Sequence, residues 1–121
     1  MAKLLIVDDE ADVREFTANF FRRRSIDVIT ASGGREALEI TRKHRPELVL
    51  LDIRMEGISG IETLKRIKEH DKSIKVIMVT GKKPEEEDAY GRCRQLGASE
   101  YILKPLKLDE LEKIVKDILK D

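Results

Sequence analysis

Four consecutive aliphatic residues, Leu48-Val49-Leu50-Leu51, run directly into Asp52 and then into a loop that carries Gly57 and Gly60. Pro46 stands just upstream, where it ends the preceding helical pattern. A short apolar run with such punctuation reads as a strand buried on both faces. Asp52 then emerges at the carboxyl end of a central strand, the edge at which open α/β sheets place their ligands. A strand-end cap is the plainer role for such an aspartate. The rest of the chain decides between the two.

Two further runs of the same kind occur, Leu4-Leu5-Ile6-Val7 and Val76-Ile77-Met78-Val79. The first, a strand from Lys3 to Asp8, ends in Asp8-Asp9, and the other ends in Thr80-Gly81. Weaker strands are expected at Ile26 to Thr30, interrupted by Asp27, and at Glu100 to Leu103, followed by Lys104-Pro105. Helical periodicity fills the intervals. The first helix carries Val13, Phe16, Thr17 and Phe20 as its expected inner face and closes on Arg22-Arg23-Arg24. Gly33-Gly34 opens the second, with Ala37, Leu38 and Thr41 inward; the third runs from Ile61 to His70 over Ile61, Leu64 and Ile67. Pro84 opens the fourth, whose first turn is acidic, Gly91 weakens its middle, and Gly97 is its expected C-cap. The fifth turns Leu108, Leu111, Ile114, Val115 and Ile118 inward.

Five strand-helix units predict a doubly wound, five-stranded parallel sheet with five helices over its two faces. Unbroken aliphatic strands belong in the middle, and those carrying Asp27 and Glu100 belong at the edges. The order 2-1-3-4-5 satisfies both conditions. It reverses direction between strands 1 and 3, which end in Asp8-Asp9 and Asp52.

A chain of 121 residues is expected to be one domain, 1–121. It holds 24 basic and 24 acidic residues, so it lacks the basic excess of a nucleic-acid binder. No apolar run exceeds four residues, so no membrane span is expected, and a strand starting at Lys3 leaves no room for a signal peptide. The lone Cys93 fits a reducing, cytoplasmic setting. His44 and His70 sit near helix ends, where imidazole suits the macrodipole, and neither has a nucleophile or metal partner in sequence.

Three carboxylates at one crevice repel unless a counter-charge is present. A hard divalent cation supplies it: magnesium takes a few carboxylates, keeps waters, and leaves room for phosphate oxygens. Thr80 and Lys104, at the ends of strands 4 and 5, add a hydroxyl and an ammonium that suit phosphoryl oxygens. One carboxylate is then the nucleophile of an aspartyl-phosphate, and Asp52 lies between the acidic pair and Thr80.

These residues bring the chain to a known family. The segments LLIVDDE, LVLLDIRMEGISG, VIMVTG and YILKP resemble the response regulator receiver domain of two-component signalling, essentially end to end. The resemblance implies a flavodoxin-like fold and a stand-alone signalling switch rather than a metabolic enzyme. It implies that Asp52 accepts a phosphoryl group from a sensor histidine kinase or a histidine phosphotransfer protein. Asp9 and Asp52 would ligate magnesium (or manganese) directly, Asp8 through water, and the Arg54 carbonyl would complete the protein ligands. Lys104 would pair with the phosphoryl group, Thr80 and Tyr101 would switch together, and the Lys104-Pro105 bond would be cis. The signal would pass to a separate downstream protein through helix 4, strand 5 and helix 5.

Three positions depart from the family pattern. Met55-Glu56-Gly57 replaces Met-Pro-Gly, Gly81 stands where alanine is common, and Gly91 interrupts helix 4. Two alternatives use the same residues. One is a magnesium-dependent phosphohydrolase forming an aspartyl-phosphate, against which Arg54 stands where a second acid would be needed. The other is a receiver-like binding module that is never phosphorylated.

Overall fold

The computed structural model describes residues 3–55, 57–81 and 87–119, with only the backbone at 87–90. The elements alternate as β1 (Lys3–Val7), α1 (Ala11–Arg22), β2 (Asp27–Ala31), α2 (Gly34–His44), β3 (Leu48–Asp52), α3 (Gly60–His70), β4 (Lys75–Thr80), α4 (Glu87–Gln95), β5 (Glu100–Leu103) and α5 (Leu108–Leu119). All strand pairs are parallel and the order is β2-β1-β3-β4-β5, the doubly wound arrangement expected. The three aliphatic strands are central. Asp27 and Glu100 are exposed on the two edge strands, where a charge also discourages pairing with other chains.

The core has two layers, as helices on both faces of a sheet require. Leu5, Val7, Val49, Leu51, Val76 and Met78 point to one face and pack with Ala37, Leu64, Ile67 and Cys93 from α2, α3 and α4. Leu4, Ile6, Leu48, Leu50, Ile77 and Val79 point to the other and pack with Ala18 and Phe21 of α1 and Leu111 and Val115 of α5. The alternation along each strand is the two-residue side-chain period.

Boundaries shift by a residue in places: β1 ends at Val7, one residue before the expected Asp8, and β2 runs from Asp27 to Ala31. The expected start of the fourth helix at Pro84 lies outside the described residues. One expectation about packing fails. Phe16 is 67% exposed, whereas Thr17, Ala18 and Phe21 are the buried residues of α1. At about 100° per residue, Ala18 and Phe21 share the stripe of Thr17, while Phe16 lies far round the helix from its centre. The bulk of Phe16 favoured the wrong face; the small Ala18 is what lets α1 approach the sheet.

Two ends are closed by local chemistry. Ser59 caps α3, its hydroxyl accepting from the Glu62 N–H at 3.1 Å. The expected C-cap Gly97 has φ +102°; its N–H bonds the Arg94 carbonyl and the Ala98 N–H bonds the Cys93 carbonyl, the paired pattern of a Schellman turn. The Lys104-Pro105 bond is cis. No helix among the described residues is long and apolar enough to cross a membrane.

Gly60 sets how closely α3 approaches β3. A Cβ there would lie 2.6 Å from Ile53 Cα and would also collide with the Asp52 carbonyl oxygen. Backbone on both sides cannot yield cheaply. Gly60→Ala is therefore expected to cost about 1–3 kcal/mol, the usual range for overpacking, measured by urea unfolding. A variant as stable as the parent would show that α3 can move away.

Candidate functional site

Strand register assembles the acids. Val7 lies opposite Leu51, so Asp8 and Asp52 leave the sheet side by side. Asp52 lies opposite Val79, so Thr80 is the next residue along the neighbouring strand. Thr80 lies opposite Leu103, which brings Lys104 to the same edge. The Lys104 N–H donates to the Thr80 carbonyl at 2.7 Å and extends that pairing by one residue.

Asp8 and Asp52 are each 6% exposed, and Asp9 is exposed. Carboxylate oxygens of Asp8, Asp9 and Asp52 lie within 4.8 Å of one another. Lys104 Nζ bonds Asp52 Oδ2 at 3.0 Å and Asp8 Oδ2 at 3.5 Å, and lies 4.0 Å from Glu10 Oε1. The second oxygen of each buried acid is held by backbone: Asp52 Oδ1 accepts from the Arg54 N–H at 3.2 Å, and Asp8 Oδ1 from the Glu10 N–H at 2.9 Å.

Burial pushes the Asp52 carboxyl above its ordinary range, although the Lys104 hydrogen bond and charge and the Arg54 N–H pull it down; the Asp8 charge adds to the rise. For Lys104, burial disfavours the ammonium, but the hydrogen bonds and charges of Asp52 and Asp8 outweigh it and raise its pKa. The lysine is thus held charged by the two buried acids it faces. Three close carboxylates with one ammonium form an acidic pocket of hard oxygen donors. That donor set suits a hard divalent cation, so Asp8, Asp9 and Asp52 could hold a metal ion.

The expected site residues fall into three groups. Asp8, Asp9, Asp52 and Lys104 are in mutual reach. Arg54 and Asp9 line one open cleft of about 430 Å³ with Ile53, Met55 and Ser59, and Thr80, 4% exposed, lies at the end of β4 beside this cluster. Tyr101 stands apart: it pairs with Met78 on β5 and is half-buried against the core beneath α4. Gly81 adjoins the cluster, where an added Cβ would rest 3.8 Å from Lys104 Cδ, an ordinary contact. Two residues were not singled out from sequence. Glu10 reaches Lys104, and its place directly after the acidic pair was the available signal. Arg14 donates from Nη1 to the Asp8 carbonyl at 2.8 Å. The sequence held no clear signal for it, because the expected inner face of α1 turned Phe16, not Ala18 and Phe21, toward the sheet.

Comparison with known proteins agrees with this geometry. A profile of the response regulator receiver domain matches residues 4–116. Sporulation initiation phosphotransferase F of Bacillus subtilis (strain 168) is 39% identical over 117 residues, which cover 97% of this chain and 93% of that protein. The alkaline phosphatase synthesis transcriptional regulatory protein PhoP of the same organism is 35% identical over 118 residues; these cover 98% of this chain but 48% of PhoP, so the chain spans about half that relative's length. The solved structure of response regulator protein TrrA from Thermotoga maritima, in complex with Mg(2+)-BeF, matches with a TM-score of 0.86 at 34% identity, covering 98% of this chain and 100% of that one. With its sheet order, its acidic strand ends and these relatives, the chain belongs to the response regulator receiver domain family.

Proposed function

We propose that this single-domain chain is a cytoplasmic phosphorylation switch whose acceptor is Asp52. The observation that carries the reading is Asp52 itself: nearly buried at the end of β3, raised in pKa by burial, and bound at 3.0 Å by the Lys104 ammonium. In the transfer, a carboxylate oxygen of Asp52 attacks the phosphorus of a phosphohistidine. A P–O bond forms, the P–N bond breaks, and the imidazole leaves with the electron pair. Lys104 then exchanges its carboxylate contacts for a phosphoryl oxygen, and the Thr80 hydroxyl donates to another. Asp8, Asp9, Asp52 and the Arg54 carbonyl would hold magnesium, which when bound supplies positive charge to the phosphoryl oxygens.

A protein donor, a sensor histidine kinase or a histidine phosphotransfer protein, suits the surroundings of the acceptor. Phe16 is exposed beside Lys104, Pro105, Leu106 and Leu108, in a largely apolar groove of about 540 Å³. The output reading rests on β5. Thr80 and Leu103 are paired, and Tyr101 lies two residues before Leu103, so a shift of Thr80 toward the phosphoryl group is felt along the strand and under α4. That face, with α5, would meet the downstream protein.

A small phosphodonor with magnesium is expected to give one phosphoryl adduct by intact-mass measurement. Asp52→Asn or a chelator removes it; an adduct that survives Asp52→Asn assigns the acceptor elsewhere.

The raised pKa of Asp52 has a definite sign for stability. The folded protein binds that proton more tightly than the unfolded chain does. The ionised group therefore costs nothing well below the ordinary value of 3.8 and costs progressively more as pH rises through the folded pKa. At neutral pH in chelator, Asp52→Asn is expected to melt above the parent, Lys104 keeping Asp8. Magnesium should then stabilise the parent more than the variant, by mass action. A lower melting temperature for Asp52→Asn in chelator would contradict the burial cost.

Binding of beryllofluoride, a phosphoryl mimic, is expected to shift amide resonances at Tyr101 and along α4 as well as near Asp52. A coupling of about 1–3 kcal/mol, or 5- to 150-fold in partner affinity, is typical of such switches. Shifts confined to the loops around Asp52 would exclude this face as the output.

A further inference from the structure

Arg14 occupies a position on α1 that the helix would ordinarily give to an apolar residue. It lies three, four and seven residues before the buried Thr17, Ala18 and Phe21, and so on the stripe that faces the sheet. Half-buried there, its guanidinium reaches back to the end of β1 and donates to the Asp8 carbonyl at 2.8 Å. The remaining polar atoms of Asp8 are also tied: its N–H donates to the Ala31 carbonyl of β2 at 3.2 Å, Oδ1 accepts from Glu10, and Oδ2 faces Lys104. Arg14 supplies the bond that closes this set, from a helix that begins only after the acidic pair. Its charge also reaches the start of α2. The Glu36 carboxyl is held below its ordinary range by hydrogen bonds from the Ser32 N–H and hydroxyl, which outweigh burial, and by the positive charge of Arg14.

We propose that Arg14 is a positioning residue for the acidic pair: by pinning the Asp8 carbonyl it fixes the turn into Asp9 and sets the affinity of the site for a divalent cation. The proposal rests on the reading of Asp8 and Asp9 as magnesium ligands. Groups that orient a ligand rather than touch the metal still govern affinity, because they remove conformations in which the ligand oxygens diverge. An arginine suits the task, since it keeps its charge, offers several donors in one plane, and here bonds the Asp8 backbone.

The test is a magnesium titration of the whole chain by calorimetry, with melting in chelator measured alongside. Arg14→Met keeps the aliphatic stem and loses the donor; it is expected to weaken magnesium binding about tenfold and to shift the Asp9 and Glu10 amide resonances. Arg14→Lys, which restores a charged donor, is expected to recover part of the affinity. Arg14→Leu, which also lacks the donor, provides the same comparison should Arg14→Met not fold. Magnesium affinity unchanged in a folded variant lacking the charge, whatever its melting temperature, overturns the proposal and leaves Arg14 as a brace for α1 alone. Failure of the underlying reading has a different signature. The unsubstituted protein would then show no saturable magnesium binding, or Asp9→Ala would bind as tightly as it does.

Discussion

Everything at the carboxyl edge of this sheet depends on one electrostatic compromise. Parallel register forces Asp8 and Asp52 out of adjacent strands at the same height, and Asp9 follows within the next residue. Three carboxylates so close would repel if ionised without compensation. Lys104, delivered by the edge strand β5, answers two of them directly, at 3.0 and 3.5 Å. One ammonium does not balance three carboxylates, and burial, with a lesser contribution from the Asp8 charge, holds the Asp52 pKa above its ordinary range. The residual negative charge, carried by hard oxygen donors already gathered within 4.8 Å, is what a divalent cation could use.

Holding that compromise in place is the work of the two core layers. Leu48, Val49, Leu50 and Leu51 alternate between the α1–α5 face and the α2–α3–α4 face, so β3 cannot slip by one residue without exchanging both. Gly60 then lets α3 approach β3 until its first turn touches the Asp52 backbone. Ala18 does the same for α1 against the opposite face. Asp52 is positioned from both sides by small residues. The bulky Phe16, which the core does not accommodate, is left beside Lys104 at the surface.

The outer parts of the fold tie the site to surfaces farther away. Lys104 follows β5, whose Tyr101 lies against the core beneath α4. Lys68 of α3 donates to the Ile74 carbonyl at 2.6 Å, and its stem passes Gly97 at the end of α4. Burial holds the Lys68 pKa below its ordinary value, helped by the charge of Lys75 and opposed by that of Asp71. Its ammonium bonds the Ile74 carbonyl, with the Lys72 carbonyl at 3.4 Å, and so links α3 to the entry of β4 while its stem passes the exit of α4.

The sequence by itself determined the alternation of strands and helices, the parallel sheet and the central place of β1, β3 and β4. Those follow from local apolar runs, their punctuation and the exclusion of charge from buried strands. It also pointed to Asp8, Asp9, Asp52, Thr80 and Lys104, because each ends a strand at the edge where such sheets bind ligands. The facing of α1 was not legible there, since the larger Phe16 outweighed the small Ala18 in any count of apolar residues. Arg14 was hidden for another reason: a charged residue on a helix usually faces water, and only the docked position of α1 turns it toward the Asp8 carbonyl. Which carboxylate oxygen Lys104 holds, and how far the acids stand apart, were decided by tertiary structure alone. Register between β1 and β3, and between β4 and β5, is a property of paired strands and not of either strand's residues.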